Sequence, residues 1–82
     1  MDISALAFTY WMEAAREDLA MLSAYRTPSV RAGILARAEA CVRLALRAAN
    51  AMNCARRKTL CFQALNWLRA AMAHCRPLPI AA

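Results

Sequence analysis

Residues 28–52, PSVRAGILARAEACVRLALRAANAM, decide the fold of this chain. At 100° per residue, Ile34, Ala38, Cys41, Ala45 and Met52 fall along one line. Glu39, Arg43, Arg47 and Asn50 fall opposite, with Arg37 near that same outer side. An apolar line at this period predicts an amphipathic helix with a little under half of its circumference turned to a core. Glu39 and Arg43 stand in the favourable i,i+4 order. Thr27 is placed to cap the helix, and Pro28 suits the first helical position, where its missing N–H costs nothing.

The same reading extends in both directions. Towards the N-terminus, Arg26-Thr27-Pro28-Ser29 is the clearest break, and a first helix is expected from Ile3 to about Tyr25, capped by Asp2 or Ser4. Towards the C-terminus, Leu60, Cys61, Ala64, Leu65, Leu68, Ala71, Met72 and Cys75 form an apolar stripe with Trp67 at its edge, and Pro77 and Pro79 end that helix. No Gly or Pro separates the second helix from the third. Phase does: carried on as one helix, the apolar arc of residues 60–75 is rotated by roughly 110° from that of helix 2, where a heptad drift would be about 20° per heptad in the other sense. The break is expected near Asn50–Asn53.

The prediction is therefore an all-α, antiparallel three-helix bundle, with helices over roughly 3–25, 29–52 and 54–76, forming a single domain over residues 1–82. Composition agrees. Of the 82 residues 62% are hydrophobic, much of it alanine, and one glycine and three prolines leave few places for turns. A transmembrane helix needs about 18 apolar residues, and the longest uncharged runs, Ile3–Met12 and Thr59–Leu68, fall well short. No secretion signal is legible at the start. A cytoplasmic setting with the four cysteines reduced is expected.

Catalytic and metal chemistry find little purchase. Cys54, Cys61, His74 and Cys75 are the one conceivable ligand set, and no pair has the short spacing of structural zinc sites. His74 and Cys75 are adjacent on a helix, so their side chains diverge by about 100°. No glycine-rich phosphate loop, nucleophile elbow or carboxylate pair is present. The expectation is no enzyme activity, no cofactor and no metal.

Two surfaces carry the functional reading. Helix 1 has a narrow polar strip, Thr9, Glu13, Arg16, Glu17 and Ala20, and is otherwise apolar over roughly 200°. One side of that arc carries Ile3, Ala7, Tyr10, Ala14 and Met21; the other carries Phe8, Trp11, Met12, Ala15, Leu19 and Leu22. Two neighbouring helices cannot easily cover so wide a face, and wide apolar faces on small proteins mark interfaces. Phe8, Trp11, Met12 and Leu19 are the expected anchors, and Phe62, set in the polar face of helix 3, is a second contact. The rival reading places helix 1 at the centre of the bundle, covered on both sides. Asp18, inside the apolar arc, is expected to pair with Arg31 across the turn.

The second surface is basic. The net charge is +6, with nine basic residues against Glu39 alone in residues 27–82. Arg56-Arg57-Lys58 crowds the first turns of helix 3, where the helix dipole disfavours positive charge. With Arg37, Arg43 and Arg47 it forms a candidate phosphate-binding surface. No helix-turn-helix signature or aromatic stacking platform accompanies it, and acidic protein partners would use the same arginines.

The sequence thus points to a small protein-interaction module that binds a protein partner, acidic or otherwise, or a second copy of itself through helix 1. Nucleic-acid binding by the arginines is the alternative, and binding at an anionic membrane surface a third. In its short Ala- and Arg-rich helices the chain resembles small bacterial and phage adaptors, secretion co-chaperones and inhibitors, a likeness of style that covers no specific motif.

Overall fold

The computed structural model describes residues 2–75. They form three helices in an up-down-up bundle: α1 over Ile3–Ala20, α2 over Pro28–Ala51 and α3 over Ala55–Ala73. Arg76, the last residue of the expected third helix, and the two C-terminal prolines lie outside the described residues.

The helix ends follow local chemistry. Asp2 caps α1, its Oδ1 accepting the Ser4 N–H at 3.0 Å. Thr27 precedes α2 in extended geometry without a side-chain capping bond, and Pro28 opens the helix. Helix 1 is shorter than expected. It gives way at Met21 to a 3-10 turn over Met21–Ala24. Arg31 braces the turn: its Nη1 donates to the carbonyls of Leu22 (2.6 Å) and Tyr25 (2.8 Å), and the Leu22 carbonyl also accepts the Tyr25 N–H at 3.3 Å.

Arg31 is therefore not the partner of Asp18, contrary to the sequence expectation. Asp18 pairs instead with Arg37, Nε to Oδ1 at 3.3 Å, and Cys41 Sγ lies 3.9 Å from the other carboxylate oxygen. Antiparallel packing sets this register. The chain reverses over residues 21–27, so Asp18 comes level with the third and fourth turns of α2, beyond the first turn that Arg31 occupies.

The break between α2 and α3 falls where phase placed it. Asn53 adopts φ 51°, the left-handed conformation. The Asn53 N–H bonds to the Asn50 carbonyl at 3.0 Å and the Cys54 N–H to the Ala49 carbonyl at 3.2 Å. That pair of bonds is the Schellman closure, with asparagine in the position usually held by glycine. Asn53→Val should cost about 1–2 kcal/mol, because a β-branched side chain is strained there. Asn53→Gly should stay within about 0.5 kcal/mol of the parent. Urea unfolding of the two variants checks the contrast.

The core is centred on α2, not α1. Among the described residues thirteen hydrophobic side chains are buried, and eight of these lie on α2: Ile34, Leu35, Ala38, Cys41, Val42, Ala45, Ala48 and Ala49. Phe8 and Ala15 come from α1, Leu22 from the turn, and Cys61 and Leu68 from α3. Packed helices sit 8–10 Å apart, axis to axis, and their Cα atoms lie about 2.3 Å from each axis. A closed bundle would therefore bring α1 and α3 Cα atoms within about 6 Å of each other. No Cα of α1 lies within 8 Å of any Cα of α3. Their axes are thus roughly 12 Å apart or more. The bundle is open along its third side.

Candidate protein-binding cleft

The open side is a cleft with two ordered walls. On α1 and its following turn, Phe8, Met12, Ala15, Leu19 and Leu22 face it, at spacings of four, three, four and three residues. On α3, Leu60, Ala64, Trp67, Ala71 and His74 repeat the same spacing on the opposite wall. This 3.5-residue average is the period of a helix seam made to receive another helix. Val42 and Leu35, from α2, reach the floor.

The side chains of the described residues fill the cleft incompletely. Three hollows remain along it, of about 430 Å³ beside Phe8 and Leu60, about 250 Å³ beside Met12 and Ala64, and about 350 Å³ beside Leu22 and Ala71. Trp67, 54% exposed, stands between the last two. Arginines border all three: Arg56 and Arg57 at the first, Arg16 at the second, Arg26 and Arg31 at the third. No aspartate or glutamate lines any of them.

The expected anchors divide between core and cleft. Phe8, taken from the sequence as an exposed anchor, is buried, and the Arg57 guanidinium carbon lies 5.4 Å from the centre of its ring. Met12 and Leu19 are half-buried on the cleft wall. Trp11 is half-buried and meets Tyr10 edge to face at 4.9 Å. Phe62 is exposed, on a part of α3 turned away from the cleft, so it does not join the helix 1 residues.

A separate apolar strip was missed as a contact surface. Ile3, Leu6 and Tyr10 are 80%, 53% and 64% exposed and share the outer face of α1 at i, i+3, i+7. The periodicity placed Ile3 and Tyr10 in the broad arc, but only the position of α2 reveals which side of that arc stays open.

The six basic residues expected to form a phosphate-binding surface do not gather on one face. Arg37 is held by Asp18 and Arg43 by Glu39 (2.9 Å). Arg57 turns inward to Phe8 and to Met52 Sδ (3.5 Å), and Lys58 donates to Asn53 Oδ1 at 3.0 Å. Arg47 is exposed on the outer side of α2, while Arg56 borders the cleft. Tethering Lys58 to the Asn53 turn and laying Arg57 over an aromatic ring eases the crowding of charge at the start of α3.

The thiols differ in character. Cys54 is the N-cap residue of α3, without a side-chain capping bond; the Arg57 backbone N–H nearby holds the thiol below its usual range, and the Arg57 charge adds to this against opposing desolvation. Burial pushes Cys61 up, and burial followed by the Asp18 charge does the same to Cys41. Cys54 and His74 stand at opposite ends of α3, about 30 Å apart at 1.5 Å per residue. They cannot share one metal ion. Among the described residues no three His, Cys, Asp or Glu side chains converge, and no helix is long and apolar enough to cross a membrane.

Comparison with known protein families, with curated proteins and with solved structures finds no match to this chain.

Proposed function

We propose that this chain is a stoichiometric protein-binding module, an adaptor, chaperone-like factor or inhibitor, that engages its partner through helix 1. One observation carries the reading: of the two other helices, only α2 packs closely on α1, while α3 stands too far off to cover its remaining apolar surface. Met12 and Leu19 therefore border an unfilled cleft, and Ile3, Leu6 and Tyr10 face outward. A small chain that leaves large side chains uncovered on both flanks of one helix gains by burying them against another protein. The dispersal of Arg37, Arg43, Arg47 and Arg56 over several faces, and the apolar walls between the arginines that border the cleft, favour this over phosphate binding, which works best with a continuous basic track.

Site-specific photo-crosslinking tests the proposal. A photoreactive side chain at Tyr10 or at Met12 should give a discrete covalent adduct to protein in cells that make the chain. The same group at Arg43, on the outer side of α2, should not. Adducts to nucleic acid, adducts only from Arg43, or none from any position would overturn the reading.

A further inference from the structure

We infer that the cleft between α1 and α3 is a receptor for one acidic amphipathic helix of about four turns, which completes the bundle as a fourth helix. The inference rests on the protein-binding reading above and names the partner's chemistry.

Three features of the cleft define the occupant. The first is period. Both walls present side chains at alternating four- and three-residue steps, Phe8 to Leu22 on one side and Leu60 to His74 on the other. A guest helix meets both walls at once when its own apolar residues keep that period. The second is dimension. From Phe8 to Leu22 the α1 wall spans fourteen residue steps, about 21 Å at 1.5 Å per residue, or four helical turns. The three hollows are spread over this length, which suits large apolar residues about one heptad apart. The third is charge. Arg16, Arg26 and Arg56 stand along the rim, with no aspartate or glutamate among the lining residues. A guest with Asp and Glu beside its apolar stripe meets complementary charge from end to end, and one with Lys and Arg is repelled.

The same charge argues against two copies joining cleft to cleft, which would set arginine rim against arginine rim. A duplex nucleic acid would meet the arginines but leave the apolar walls unused.

The test uses the full-length protein and designed peptides. One is an 18-residue helix with Leu at alternating four- and three-residue spacing and Glu beside the stripe. A second replaces each Glu by Lys, and a third keeps the composition of the first but scrambles the Leu spacing. Fluorescence anisotropy should show the Glu peptide binding at least about tenfold more tightly than either control. Arg16→Glu/Arg56→Glu should reverse the preference in favour of the Lys peptide; both arginines are exposed, so the fold is kept. Arg47→Glu, the same charge reversal on the outer side of α2, should leave the preference for the Glu peptide unchanged.

Failure of all three peptides to bind overturns the inference, as does equal binding of the Glu and Lys peptides. A dimer by light scattering that takes up the Glu peptide only as it dissociates overturns it as well, because the cleft is then filled by a second copy. In each of these cases crosslinking from Tyr10 and Met12 judges the protein-binding reading separately.

Discussion

Leu35→Ala should leave a substantial fraction of the chain unfolded at 37 °C, whereas Leu60→Ala should change stability little. Leu35 is 1% exposed and lies on α2, the helix that supplies most of the core; Leu60 is 44% exposed at the cleft. Removing a fully buried leucine side chain typically costs about 2–5 kcal/mol, combining lost transfer energy with the cavity left behind. A domain of this size holds only about 3–5 kcal/mol of net stability from its core, so the loss rivals the whole. At roughly 4–8 °C per kcal/mol for a small domain, thermal denaturation followed by circular dichroism should shift down by about 10 °C or more. The Leu60 variant should melt within a few degrees of the parent. Equal shifts for the two would mean that α2 is not the hub of the core.

The centrality of α2 was only partly legible in the sequence. Period and phase revealed three helices, because apolar spacing in α2 and α3 is regular and the phase jump at Asn50–Asn53 is large. The left-handed turn itself carried no glycine; Asn53 does that work, and asparagine is too common elsewhere to flag it. Helix 1 was overextended because Met21–Ala24 keeps the apolar pattern while its hydrogen bonding tightens to a 3-10 turn under Arg31. Pairing Asp18 with Arg31 failed for a related reason: chain proximity across a turn says nothing about register, and Arg31 was claimed by backbone carbonyls. The width of the apolar face on α1 was readable, but its partition was not. Which residues are covered depends on how far α3 stands from α1, a tertiary distance that no helical period encodes. The cleft walls were present in the sequence as two matching runs, residues 8–22 and 60–74, yet each looked like ordinary core until the separation of the helices left Met12, Leu19, Leu60 and Trp67 bordering unfilled space while Phe8, Ala15 and Leu22 stay buried.

That separation has a consequence for stability that sequence hydropathy would predict with the wrong sign. Ala45→Leu should destabilise the chain by about 1–3 kcal/mol despite adding apolar surface, while Ala64→Leu should be neutral or stabilising. Ala38, Ala45 and Ala49 are fully buried, 0% exposed, at spacings of seven and four residues on α2, and none of them lines a hollow. Such a row of small side chains lets a neighbouring helix approach closely, and interiors packed at this density have no room for three more carbons. The transfer gain of about 0.8 kcal/mol per buried methylene cannot be realised where the added atoms must displace backbone. Ala64 differs only in its surroundings. It is half-buried on the α3 wall, beside the hollow of about 250 Å³ that Met12 and Leu19 also border. A leucine there grows into space, covers its neighbours and retains part of the transfer gain. Urea unfolding of the two variants, compared at a common slope, reads the difference directly. If both lose 1–3 kcal/mol, the walls meet in solution and the third side of the bundle is closed. Opposite signs would establish the cleft as open space in the folded protein, and Ala64→Leu, a folded variant with that space partly filled, should then bind the acidic helix more weakly than the parent.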